Sequence, residues 1–143
     1  MDVVLAILCL VIGGVIWAGQ VVGAVNFPLA QRLGWLEKDA VTDAPFRRAE
    51  QNTARWDVLI LWPMPVTGIL LLLGHPWWPL LGVISGAIYL DTAGREAARC
   101  RSFAREGIKI GSPADIRKAN AALVVMAALG VWLMAVSVVA AWG

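Results

Sequence analysis

Residues 57–73, DVLILWPMPVTGILLLL, decide how the rest of this chain is read. After the opening Asp57 no charged side chain occurs, and the run is long and apolar enough for a helix that crosses a bilayer. It predicts an integral membrane protein. The same stretch carries two prolines near its centre, Pro63 and Pro65. Proline has no N–H to give to the carbonyl four residues back, so a helix through this run should bend and release the carbonyls of Leu59 and Leu61. In hydrocarbon a released carbonyl has to find a donor. Thr67, Ser85 on another segment, or a bound ligand are the candidates, which leaves both a packing kink and a ligand site open at Pro-Met-Pro.

Working outward, the totals agree with a membrane chain. The 143 residues are 59% hydrophobic and only 15% charged, well below the quarter usual in soluble domains, and the mean hydropathy is +0.72. The net charge is +2, but the placement of the 12 basic residues says more than their sum. Arg32, Lys38, Arg47, Arg48 and Arg55 fall in one segment, and Arg95, Arg99, Arg101, Arg105, Lys109, Arg117 and Lys118 in another. Basic loops stay on the cytoplasmic side, so both segments are expected there and both chain ends on the far side. Four crossings follow, at about 3–26, 57–74, 77–94 and 119–142. The prediction is an all-α, four-transmembrane-helix bundle, a single domain over 1–143 in the cytoplasmic (inner) membrane.

The first crossing has small residues at four-residue spacing, Gly14/Ala18 and Gly19/Gly23, and the third has Gly82/Gly86 with Ser85 between them. Such spacings let helix backbones approach closely, so these glycines are expected to pack against a neighbouring helix or a second copy. Phe27-Pro28 should end the first helix, followed by a polar loop to Asp43. Asp43-Ala44-Pro45 has the form of an N-cap with proline in the first turn, opening a cytoplasmic prefix to the second crossing. Asp57 at the membrane face is read either as a ligand for substrate or proton, or as a carboxylate paired to an Arg such as Arg55. The turn Gly74-His75-Pro76-Trp77-Trp78-Pro79 suits the aromatic belt at the far surface. From Asp91 the helical pattern continues as a basic surface extension to a stop at Gly107. Ser112-Pro113-Ala114-Asp115 then reads as a capping box that starts the last helix.

Several chemistries are excluded on composition. The only histidine, His75, lies in the outer turn, so one chain offers no pair of histidine axial ligands and no His-rich metal cluster. No metal or cofactor is expected. Cys9 and Cys100 imply no disulfide framework. The second basic segment nets only +3 once its acids are counted, too little for nucleic acid without interleaved aromatics. No charged residue lies in the middle of a crossing, which weighs against an ion-coupled transporter.

With four helices set side by side, Gln20, Asn26, Asp57, Asp91 and Asn120 fall in one layer near the cytoplasmic surface, with Arg55 and Tyr89 in reach. Together with Pro63 and Pro65 these are the candidate ligand-binding residues, suited to a polar headgroup or quinone-like ring whose tail lies among the helices. A belt of helix-end polar residues explains the same layer without a ligand.

VIGGVIWAGQVVGAVNFPLAQRLG in the first crossing, with RWDVLILWPMPVTGILLLL, resembles small four-helix bacterial membrane proteins distantly akin to the copper resistance D family. The matching positions are Trp17-Ala18-Gly19, Asp57, Pro65 and Thr67-Gly68. The resemblance implies a four-helix membrane fold. It does not imply copper or haem handling, because the first-helix histidine of such relatives is absent here.

Two functions are therefore expected to compete. One is a non-enzymatic accessory or scaffold subunit, packing as a homo-oligomer or in a larger membrane complex among membrane lipids. The other is a small membrane enzyme or carrier for a lipophilic ring compound or lipid.

Overall fold

The structure is a computed structural model and describes residues 2–142. It is all-helical, with no strand among the described residues: α1 (Asp2–Val25), α2 (Phe27–Arg32), a 3-10 turn (Asp39–Val41), α3 (Ala44–Ile60), α4 (Pro63–Leu72), α5 (Trp78–Arg105) and α6 (Pro113–Trp142). Three helical units are long and apolar enough to cross a membrane: Val3–Val25, Ala44–Leu72 and Pro113–Trp142. In the middle unit only the part from Val58 onward is apolar; the turns before it carry Arg47, Arg48, Glu50, Arg55 and Asp57. The first half of α5 is apolar and the second, from Asp91, is charged.

The local chemistry explains the boundaries, and two of them differ from expectation. Phe27-Pro28 starts a helix rather than ending in irregular loop, because the Asn26 side chain accepts the Leu29 N–H at 3.1 Å and Pro28 sits in the first turn, where a missing N–H costs nothing. Asn26 is thus a cap at an exposed position. The second difference lies at the double proline. Instead of one bent helix, α3 stops at Ile60, Leu61 and Trp62 leave the helical pattern, and Pro63 opens α4 at its first position. Proline favours that position, so the break costs less than two prolines inside a continuous helix.

Of the carbonyls at the break, those of Val58 and Leu61 gain donors and that of Leu59 gains none among the described residues. The indole N–H of Trp17 on α1 donates to the Val58 carbonyl at 3.0 Å, which a continuous helix would have given to the Trp62 N–H. The Met64 N–H takes the Leu61 carbonyl at 3.4 Å. Thr67 and Ser85 act one turn further on. The Thr67 hydroxyl donates to the Pro63 carbonyl at 2.8 Å, which uses its single proton, so the Ser85 hydroxyl donates to Thr67 across a second 2.8 Å contact. This buried pair ties α4 to α5.

Helices α5 and α6 pack along much of their length, α1 packs on α3 and α4, and α4 meets α5. In hydrocarbon such contacts rest on close van der Waals fit rather than on expulsion of water. A Cβ on Gly86 would lie 2.5 Å from the Gly130 carbonyl, and one on Gly130 would lie 2.7 Å from the Gly86 carbonyl, so the two backbones touch. Gly82 abuts Ser137 and Leu133 of α6. On α1 the close approach is at Gly13, against Met64 and Pro65, with Gly68 of α4 pressed on Ala6 and Leu10. Gly14 has open space around it, and Gly19 and Gly23 stand in ordinary contact with Trp35, Leu36 and Ala54. The core of Leu5, Cys9, Leu61, Met64, Tyr89 and Leu133 fills the space between.

At the opposite end from the chain termini the two basic connections are clasped together. Thr42 and Ile110 form an isolated antiparallel bridge. The Asp43 N–H donates to the Lys109 carbonyl at 2.9 Å, and the Asp43 carboxylate accepts the Lys109 N–H at 2.7 Å. Asp43 does hold the N-cap position of α3, but its side chain serves this clasp rather than the helix. Gly107, at φ +74, ends α5, and the reciprocal Ser112/Asp115 hydrogen bonds open α6, as the sequence predicts.

Candidate functional site

Helices α3 and α5 do not pack closely on one another among the described residues. At the clasped end the space between them is held open by side chains centred on Arg99. Its guanidinium donates to Glu50 of α3 and to Glu96 of its own helix through the same Nη2. Nη1 reaches the Thr53 hydroxyl at 2.8 Å. The cation lies 5.7 Å from the centre of the Phe46 ring, which in turn meets Phe103 edge-on at 5.8 Å. Arg99 and Glu96 were expected on a solvated basic surface; their side chains are instead only 17% and 15% exposed. The reason is that α5 continues unbroken from the apolar half, carrying this face inward over α3.

Beside that hub lies a cavity of about 380 Å³. Its apolar wall comes from Ile16 of α1, Leu61 at the helix break, and Leu123 and Met126 of α6. Its polar wall holds Glu37, Glu50, Asp57, Glu96, Arg99 and Thr92. Val15 and Trp35 also line it and are exposed on their outer faces, as are Asn120 and Ala122 of α6, so the cavity reaches the surface between α1 and α6. The size falls in the range of small-molecule sites.

The electrostatics are acidic. Burial pushes the Glu50 carboxyl up to about 7, against the pull of Arg99. Glu37 is raised for the same reason, burial outweighing its backbone hydrogen bond. Asp57 is 1% exposed, and its nearest cation is Arg95 of α5, whose Nη2 stands 3.5 Å from Oδ1 and which is itself 40% exposed. That contact is an ion pair but not a hydrogen bond. Three buried polar atoms on the cavity wall have no hydrogen-bond partner: Asp57 Oδ1, Thr92 Oγ1 and Arg99 Nε. Buried polar groups left unpaired are costly, so this wall is one of the least satisfied parts of the fold.

Of the nine residues singled out in the sequence, Gln20, Asp57 and Asn120 line this cavity. The other six do not. Asn26 caps α2, and Arg55 is exposed, leaving Arg95 rather than its sequence neighbour as the partner of Asp57. Asp91 is exposed and pairs with Arg95 at 3.8 Å. Tyr89 is fully buried in the core, its hydroxyl 3.5 Å from the Gly13 carbonyl. Pro63 and Pro65 shape the helix break. Glu37, Glu50, Thr92, Glu96 and Arg99 line the cavity as well, and their only mark in the sequence is the spacing Glu96/Arg99 on one helix face and Glu50/Thr53 on another. Among the described residues no group of three or more His, Cys, Asp or Glu is arranged to hold a metal ion. His75 lies in the turn between α4 and α5, its Nδ1 accepting the Trp77 N–H at 3.3 Å.

No family model matches this chain, and neither a curated protein nor a solved structure matches it.

Proposed function

We propose that this chain is a multi-pass protein of the cytoplasmic membrane that binds an amphiphilic small molecule in the cavity between α1, α3, α5 and α6, as a carrier or as the binding component of a membrane enzyme. The observation that carries this reading is a cavity of about 380 Å³ that reaches the surface and joins a charged wall of Glu37, Glu50, Asp57, Glu96 and Arg99 to an apolar one. A ligand with a polar head and an apolar body would set its head against the charged wall and fill the space beside Ile16, Leu123 and Met126.

The topology belongs to the same proposal. Four crossings, with α5 as the short one, put both chain ends outside and both basic connections in the cytoplasm. The clasp from Thr42 and Asp43 to Ile110 and Lys109 supports that arrangement, since it requires both connections on one side. The cavity then opens near the cytoplasmic headgroups, where an amphiphile arrives from the leaflet. A scaffold role through the glycine faces is less favoured, because Gly82, Gly86 and Gly130 are already occupied within the chain.

The test is native mass spectrometry of protein released from mild detergent, wild type beside Gly19→Leu. Gly19 lines the cavity, and a Cβ there meets Trp35, another lining residue, in ordinary contact at 3.7 Å, so the longer side chain of leucine takes up cavity volume. Wild type should carry a bound small molecule or lipid, and the variant should lose it at least fivefold with an unchanged elution profile. Bare wild-type chain, or equal occupancy in both proteins, counts against binding.

A further inference from the structure

We infer that the outward face of α3 binds an anionic phospholipid of the surrounding leaflet, its phosphate held by Arg48 and Arg55 and its chains laid along Leu59 and Trp62. This goes beyond the cavity reading and shares with it only the membrane setting.

The face is defined by helix period and exposure. Arg48, Asn52, Arg55 and Leu59 recur at intervals of four, three and four residues, which at 3.6 residues per turn sets them within about 60° of one another around α3. All four are exposed. The other side of α3 is the one that packs: a Cβ on Gly23 of α1 would meet Ala54 at 3.5 Å, and Glu50 and Thr53 accept from Arg99 of α5. The outward face therefore lies away from the cavity, which none of these four residues lines.

Its charge is of one sign, although the sequence around it is neutral. In the first basic segment five acids, Glu37, Asp39, Asp43, Glu50 and Asp57, cancel the five bases. The fold sorts these groups by side. Glu37 and Glu50 line the cavity, Asp57 is buried against Arg95, Asp39 pairs with Arg47 at 3.3 Å, and Asp43 is held in the clasp. Arg48 and Arg55 are left with no ion-pair partner among the described residues. They stand seven residues apart, about 10 Å along the axis, with the Asn52 amide between them. Two long guanidinium side chains at that separation can close on one headgroup, each giving parallel N–H donors to phosphate oxygens.

Below the arginines the face turns aromatic and apolar. Trp56, Leu59 and, past the helix break, Trp62 are 53%, 63% and 45% exposed. A soluble anion, a nucleic acid or an acidic protein would use the arginines and leave this continuation bare. A second copy of the chain would bring like charges together. A phospholipid engages the whole stripe, with phosphate at the arginines, tryptophan at the interface and acyl chains beneath. A zwitterionic headgroup carries an ammonium that two arginines repel, so the lipid is one of net negative charge, such as phosphatidylglycerol.

The experiment is native mass spectrometry of the full chain in mild detergent, offered equal amounts of synthetic phosphatidylglycerol and phosphatidylcholine. Wild type is expected to retain phosphatidylglycerol over phosphatidylcholine by about fivefold or more. The double variant Arg48→Gln, Arg55→Gln should fall to near parity with an unchanged elution profile, since neither side chain is held by the chain itself. Arg101→Gln with Arg105→Gln removes the same charge from exposed positions of α5 and should keep the wild-type preference, as should Gly19→Leu in the cavity. No preference in wild type, or a preference that survives loss of Arg48 and Arg55, overturns the inference. Equal loss in the α5 variant overturns it in favour of diffuse charge. Loss in Gly19→Leu alone moves the lipid into the cavity, which overturns the α3 face and supports the binding reading.

Discussion

Glu50 and Glu96 share one nitrogen of Arg99, and at this residue scale the arrangement makes stability depend on pH with a definite sign. The ordinary carboxyl value of 4.5 becomes about 7 for Glu50 in the folded chain. The folded state therefore holds this proton more tightly than the unfolded state does, so the contribution to stability is full below about 4.5 and is lost as pH rises through about 7. Thermal unfolding in detergent should occur at higher temperature at pH 5 than at pH 8. Glu50→Gln should cut that difference to less than half, the remainder coming from Glu37, which burial raises in the same direction. An undiminished difference in the variant would show that Glu50 does not titrate in this window. Asp57 was legible from the sequence as a carboxylate paired to an arginine, whereas the identity of that arginine was not. Arg55, two positions away, was the obvious candidate, but on a helix residues two apart point to different sides, and the cation that arrives is Arg95 from α5.

At the scale of elements, glycine spacing showed where helices approach closely but not which glycines do so. Gly13 and Gly14 are adjacent in sequence and differ by about 100° around the helix. Only Gly13 faces Met64 and Pro65, because the α4 helix it meets is displaced by the break after Ile60. Nothing in the first crossing alone reports that displacement. The α5/α6 contact is stricter still. Gly86→Ala would set a methyl 2.5 Å from a backbone carbonyl that has no rotamer to change, and should destabilise by about 1–3 kcal/mol. Gly14→Ala, with nothing within 4 Å, should be neutral or slightly stabilising, since alanine is the better helix former. Thermal scans of the two variants side by side check this; equal losses would mean that α5 and α6 do not touch at Gly130. The double proline was read correctly as a local disruption. Its consequence, two helices with a Trp17 indole filling in for the missing Trp62 N–H, needed the neighbouring helix to be in place.

At the scale of the whole molecule, the all-helical architecture and three of the long apolar units follow from hydropathy alone. The cavity does not, because it is built from the charged half of α5 and the polar prefix of α3, segments whose composition reads as solvated. Charge runs are usually surface, and here the continuity of α5 past Leu90 folds one face of such a run inward. The proposed topology is checked by cysteine labelling in a background lacking Cys9 and Cys100. Arg48→Cys and Arg101→Cys should both react only from the cytoplasmic side, and labelling from opposite sides would dismantle the four-crossing arrangement and the clasp with it. The clasp has its own consequence for synthesis. Asp43 finds its hydrogen-bond partner 66 residues later, at Lys109, and the α6 wall comes later again. A ribosome that has released α1 through α4 has delivered Glu37, Glu50 and Asp57 without the cations or the final helix that will face them. Those three carboxylates are therefore made before Arg95 and Arg99, and the wall they belong to is complete only once the last two helices have followed.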